Sequence, residues 1–397
     1  MSKSDFAAVG WSANTNAFAA GQAAARIALK QLAHQRVQYV IVFAASWFDQ
    51  AQLLAGVRSV FGDALIAGGS TAGEIAPMGP KTHSCVLLAV AYDDITVSLG
   101  IGLGVDRDPR LAGYQAAQQS VQQFNGKMRR GFLFFGDGLL TGYAEVLRGI
   151  QEVLGTSSLV TGGLMADDLR FTTTYQYAND QVLRRSIVGL LFGGACAIGV
   201  GVEHGFEPIS KPRKVTKAQA NILYELDGQP ASSVYEEYFG PSVMASLRQE
   251  GLTRRLIAYP LGMQVAETSQ LLLRNVMAFG EDGSMLCTGE VTEGSWVHVM
   301  IGSREPALEA ASLAAWQAVK PLSSVRFVLV FDSAVRRRLL GRSAAEEIHR
   351  IRKVVGASVP MIGCYTYGEQ TPLGQPYGYG RSSVQTGACL VIAVGPS

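Results

Sequence analysis

Three stretches set glycine and small residues just ahead of a carboxylate. They are Gly68-Gly69-Ser70-Thr71-Ala72-Gly73-Glu74, Gly162-Gly163-Leu164-Met165-Ala166-Asp167-Asp168 and Gly363-Cys364-Tyr365-Thr366-Tyr367-Gly368-Glu369. Glycine lets a backbone turn through positive φ and lets another group come close. A carboxylate behind it can take an ammonium or guanidinium group through charge-assisted hydrogen bonds. Gly69, Ser70, Glu74, Gly163, Asp167, Cys364, Tyr365 and Glu369 are therefore the candidate ligand-binding residues. The competing reading is that each carboxylate accepts N–H groups of its own turn. Ser70 imitates a nucleophile elbow but lacks the final glycine, and no histidine is placed to serve it, so the chain is not read as an enzyme. Gly100–Gly104 opens no helix, and there is no phosphate loop or zinc spacing.

The elements that hold these stretches follow a repeat. Tyr39–Phe43 is an apolar run of the kind buried on both sheet faces. Asp49 caps a helix that Gly62 ends, and Ala64–Ala67 is a strand leading into the first glycine turn. Cys85–Ala91 and Thr96–Ile101 read as a hairpin about Asp93-Asp94. The pattern returns with strand Gly131–Phe135, a helix from Thr141 to Leu154 and the second turn, then with Arg326–Phe331, Ser343–Val355 and the third. Between these, Thr216–Leu226 reads as a capped helix, and Arg336-Arg337-Arg338 as a solvated helix end. The fold class is α/β: mixed sheets with helices, built from strand–helix–strand–glycine-turn units with added antiparallel strands, in two domains, 1–222 and 223–397. Ligands of such sheets bind at the carboxyl ends of the strands.

The chain has 397 residues, 48% of them hydrophobic and 17% charged, which describes a folded globular protein. A net charge of +2 without a Lys/Arg run argues against a nucleic-acid face. Five scattered cysteines suit a reducing compartment. No apolar stretch of signal-peptide or membrane-span type stands out, so a cytoplasmic protein without membrane contact is expected.

The chain resembles the FIST family of bacterial sensory proteins. The three stretches above carry the likeness, with His204-Gly-Phe-Glu-Pro-Ile209, Leu226-Asp-Gly-Gln-Pro-Ala231 and Tyr259-Pro-Leu-Gly262. It departs where members often carry a His-Asn pair before a threonine; here the segment is Ser383-Val384-Gln385-Thr386. The resemblance implies a ligand sensor that regulates a histidine kinase or cyclic-di-GMP enzyme, with a homodimer as the candidate assembly. The chain is also similar to the haem-binding, nitric-oxide-sensing NosP group, which implies haem b in an apolar pocket. His204, at the junction of the halves, is then the candidate iron ligand, and His298, on a strand face with Trp296 and Met300, the second candidate. The bland reading makes both structural, and Cys85, Cys196 and Cys364 packing residues. The alternative function is the same scaffold sensing a small polar metabolite such as an amino acid, without haem.

Overall fold

The structure is a computed structural model that describes residues 6–126, 128–250, 254–265, 270–372 and 382–397. Met1–Asp5, and with them the reading of the N-terminus, lie outside the described residues. The chain is mixed α/β. Its body consists of three units of one design, as the three repeats in the sequence anticipate.

The first unit is β1 (Ala7–Ser12), α1 (Ala17–Gln31), β2 (Tyr39–Ala45), α2 (Gln50–Phe61), β3 (Leu65–Thr71), a hairpin β4 (Glu74–Ala76) and β5 (Gly79–Lys81), then β6 (Cys85–Val90). The second repeats it: β7 (Ile95–Leu103), α3 (Pro109–Gln123), β8 (Arg129–Asp137), α4 (Tyr143–Leu154), β9 (Val160–Met165), hairpin β10 (Gln176–Ala178) and β11 (Gln181–Leu183), and β12 (Ser186–Gly194). The third opens with β13 (Cys196–Glu203). An insertion follows: β14 (Phe206–Pro208), β15 (Arg213–Gln219), β16 (Ile222–Leu226), β17 (Gln229–Pro230), α5 (Ser233–Glu250), α6 (Arg254–Ala258), β18 (Leu261–Gln264), β19 (Leu271–Arg274), β20 (Val276–Phe279), β21 (Met285–Cys287) and β22 (Trp296–Gly302). The unit resumes with α7 (Arg304–Val319), β23 (Phe327–Ser333), α8 (Ala334–Leu340), α9 (Ala344–Val355), β24 (Met361–Thr366), hairpin β25 (Gly368–Pro372) and β26 (Ser382–Gln385), and β27 (Cys389–Pro396). A cut between residues 222 and 223 falls inside β16.

Each unit forms a six-stranded sheet but gives its hairpin away. The strand orders are β1-β6-β2-β3-β10-β11, β7-β12-β8-β9-β25-β26 and β13-β27-β23-β24-β4-β5. The first unit's hairpin thus extends the third sheet, the second's the first, and the third's the second. The exchange ties the units into a ring and covers the edges of β3, β9 and β24. The inner sheet faces share one core. Phe43, Phe135 and Phe331 occupy the same position in the three units and meet there, with ring centroids 5.6–6.2 Å apart. Helices cover the outer faces: α1 and α2 over the first sheet, α3 and α4 over the second, and α7 and α9 over the third. The insertion has its own apolar core around Val215, Tyr235 and Leu272.

Several local expectations hold. Asp49 caps α2 by accepting from Gln52 N–H (3.0 Å), and Gly62 ends it at φ 55°. Others change. The glycines at 68, 162 and 363 lie inside strands, because parallel neighbours pass too close for a side chain. A Cβ at Gly68 would sit 1.9 Å from the Val42 carbonyl oxygen, and one at Gly162 2.0 Å from that of Phe134. β6 and β7 are no hairpin; they belong to different sheets. The helix expected over Thr216–Leu226 is the β15–β16 hairpin, which turns at Ala220 with φ 52°.

Candidate functional site

Strand register identifies true counterparts. Gly69, Gly163 and Cys364 are equivalent, opposite Phe43, Phe135 and Phe331. Across the exchanged hairpins, Cys364 faces Glu74, Gly163 faces Glu369 and Gly69 faces Gln176. Glu74 and Glu369 are therefore counterparts, and the third member is Gln176, not Asp167 or Asp168. Eight extra residues in the second unit separate the strand from its hairpin.

Both glutamates are fully buried and bonded to their own surroundings. Glu74 accepts from Thr71 Oγ1 (2.6 Å), Ser84 Oγ (2.6 Å) and Ser84 N–H (3.2 Å). Glu369 accepts from Thr366 Oγ1 (2.7 Å) and Ala388 N–H (3.2 Å). Burial pushes Glu74 up to about 7 and Glu369 up to about 8. Gln176 makes the same contacts without charge, accepting from Ser186 Oγ at 2.9 Å and donating to Thr174 Oγ1 at 3.1 Å. Ser70 donates to the Ala166 carbonyl (2.7 Å) and accepts from Tyr175 N–H (2.9 Å), with no exposure. Gly69, Gly163, Cys364 and Tyr365 are also buried. These candidate ligand-binding residues thus lie inside the core, where the exchanged strands close over them.

Asp167 organises the extra loop of the second unit. Its carboxylate accepts from the N–H groups of Phe171 (2.9 Å), Thr172 (2.6 Å) and Thr173 (2.9 Å), and from Tyr367 Oη (2.5 Å). Burial alone would raise its pKa. The bonds from Tyr367 and Thr172 outweigh that and hold it below the usual range. Phe171 then stacks on Tyr367, centroids 4.8 Å apart.

This loop walls a cleft. A hollow of about 380 Å³ lies at the carboxyl ends of β8, β9, β23 and β24, roofed by the insertion. Gly138–Thr141, Leu169 and Phe171 come from the second unit, Ser333–Val335, Arg338, Thr366 and Tyr367 from the third, and Asn221, Ile257, Met277 and Leu286–Thr288 from the insertion. A smaller hollow of about 100 Å³ adjoins it through Gly138, Leu140, Thr141, Thr288 and Tyr367, and reaches Arg274 and Gly289. The volume and largely apolar wall suit a small organic ligand. A wider hollow of about 890 Å³ lies at the opposite, amino ends of β2 and β3, bordered by Phe6 at the margin of the described chain.

The histidines stand elsewhere. His204 Nδ1 accepts from Phe206 N–H (2.9 Å), and its ring also bonds the Leu271 backbone. Burial, with the Arg336 cation beside it, pushes its pKa down to about 4. His298 Nδ1 bonds the Ser210 carbonyl at 3.0 Å. Neither lines the cleft.

Two arginines escaped the sequence reading. Arg336 is fully buried, not solvated. It bridges Asp332 (3.0 Å) and Glu347 and donates to the carbonyls of His204 (2.5 Å) and Ala307 (2.7 Å). Asp332 is held well above the carboxylate range by burial and by Glu347. Arg274 is 5% exposed. No local signal marks either residue, since burial of a long cation depends on chain partners distant in sequence.

The FIST N domain matches residues 38–229 and the FIST C domain residues 231–372. The chain belongs to the FIST family. FIST domains are signal-transduction sensor domains. An uncharacterised protein of Methanocaldococcus jannaschii is 30% identical over 38% of this chain and 30% of its own length. An uncharacterised protein of Mycobacterium tuberculosis is 27% identical over 54% of this chain and 56% of its own. This FIST chain therefore spans between 30% and 56% of the length of those relatives. Among solved structures, a cyanuric acid hydrolase from A. caulinodans aligns over 98% of this chain and 99% of its own, at 11% identity and a TM-score of 0.36. That likeness is too slight to bear on activity. No helix among the described residues is long and apolar enough to cross a membrane.

Proposed function

We propose that this FIST protein is a non-enzymatic cytoplasmic sensor whose small-molecule ligand occupies the cleft under the insertion. One observation carries the reading: three separately built parts line one apolar hollow at the strand ends. A ligand there touches the second unit, the third unit and the insertion together. It favours the arrangement in which all three close on it, since a ligand shifts a conformational equilibrium by its difference in affinity for the two states. The surface altered by closure is what a histidine kinase or cyclic-di-GMP enzyme would read.

The residues around this cleft argue against haem there. His204 spends its ring on Phe206 and Leu271, and no histidine lines either hollow. Cys287, the thiol at the larger hollow, is pushed up to about 12 by burial, which disfavours a thiolate ligand. The ligand is therefore read as a metabolite, without haem and nitric oxide.

Leu139 lines the hollow. A thermal-shift screen of metabolites against wild type and Leu139→Trp tests the proposal. Hits should raise the melting temperature of wild type and lose that effect when the indole fills the cleft. Hits that persist in Leu139→Trp, or a Soret band in freshly purified protein, would overturn it.

A further inference from the structure

We propose that the ligand is a small organic carboxylate with an apolar body, its carboxylate held by Arg274. The inference rests on the cleft being the ligand site and adds the chemistry that selects the ligand. Two deeply buried arginines in this chain can be compared. Arg336 lies between two carboxylates, Asp332 and Glu347. Arg274, 5% exposed, meets only neutral acceptors: Nε–H donates to the Glu290 carbonyl (2.7 Å), and Nη1 to the carbonyls of Leu273 (2.9 Å) and Val384 (3.5 Å). Among the described residues it forms no ion pair. Glu290 lines the same hollow and its charge acts on Arg274 without forming an ion pair. A buried cation with no ion-pair partner is costly, and a carboxylate brought by a ligand to the guanidinium reduces that cost.

The site is open where this requires. Arg274 lines the smaller hollow, and its protein bonds leave from Nε and Nη1, so Nη2 is the nitrogen that meets the ligand. Residue 289 is glycine. A Cβ there would lie 3.1 Å from Nε and 3.2 Å from Cζ, so a larger side chain would cover the guanidinium. The hollow continues into the larger one, whose walls include Leu139, Phe171, Ile257 and Met277. A carboxylate seated on Arg274 thus leaves the rest of the ligand among apolar and aromatic side chains. The planar guanidinium fork suits a carboxylate better than a point charge does.

Calorimetric titration of the full chain at pH 7 with phenylacetate, hexanoate and the neutral phenylacetamide tests this. Wild type should bind at least one of the two acids and bind phenylacetamide about tenfold or more weakly, or not at all. Arg274→Gln should weaken the acid about tenfold, near 1.4 kcal/mol, with Arg274→Lys in between. If circular dichroism finds Arg274→Gln unfolded, Gly289→Val, which covers the guanidinium, should give the same loss. Equal binding of acid and amide, or acid affinity that survives Arg274→Gln and disappears in Leu139→Trp, would overturn carboxylate recognition while leaving the cleft in place. No binding of any of the three probes also overturns it, and the metabolite screen then decides the cleft by itself.

Discussion

The first and third units bury a glutamate where the second buries Gln176. The glutamates arrive five residues after Gly69 and Cys364, while Gln176 arrives thirteen residues after Gly163. The two short connections go directly from strand to exchanged hairpin and bury their glutamates. The long one makes a loop, fastened by Asp167, that becomes a cleft wall. Threefold likeness builds the body, and two departures from it, this loop and the insertion in the third unit, form the site. A buried carboxyl group marks the closed positions, and an amide stands where the loop was added.

The largest expected effect concerns what the units share. Phe43→Ala, Phe135→Ala and Phe331→Ala should each cost about 3–5 kcal/mol in urea unfolding, since each empties one corner of the same aromatic triangle. A much smaller cost at one of them would break the threefold description.

Next comes pH. The folded pKa values of Glu74 and Glu369, about 7 and 8, lie above the ordinary 4.5 because of burial. The folded chain therefore holds protons that the unfolded chain has released. This contribution is fully present below about pH 4.5 and is lost as pH rises through 7 to 8. The loss amounts to about 3 kcal/mol for Glu74 and about 5 kcal/mol for Glu369. Glu74→Gln with Glu369→Gln should flatten the stability profile between pH 5 and 8; an unchanged slope would contradict the assignment.

Gln176→Glu restores the shared pattern in the second unit. It should cost about 1–2 kcal/mol at pH 8 and much less at pH 5, by the same linkage. A cost independent of pH would show that Gln176 is not the counterpart of the glutamates. The smallest effect is expected at Asp168, which accepts from Ser46 Oγ (3.0 Å) near the surface. Asp168→Ala should cost less than about 1 kcal/mol; a cost like that of the glutamates would return Asp168 to their set.

The sequence carried the local parts of this fold. The cap at Asp49, the stop at Gly62, the buried run from Tyr39 and the three glycine stretches were all legible, because each depends on neighbours a few residues away. Hairpin exchange was not, since it pairs strands of different units and leaves no short-range pattern. The same distance hid Gln176: counting from the glycines pointed to Asp168, and only strand register corrects the count. Val215, Ala218, Ile222, Leu223 and Leu226 repeat at near-helical spacing, yet the turn at Ala220 folds them into a hairpin. Of the candidate residues, those chosen for chemistry proved to be buried in the strand junctions. The cleft is lined by Leu139, Phe171 and Tyr367, with Arg274 beside it, residues whose types alone draw no notice.

The central claim is that the ligand sits in this cleft and not at His204. The most direct measurement is the ligand-induced melting shift compared among wild type, Leu139→Trp and His204→Gln. The account predicts that each hit shifts wild type and His204→Gln alike and fails on Leu139→Trp. Hits that vanish in His204→Gln but survive in Leu139→Trp would contradict it.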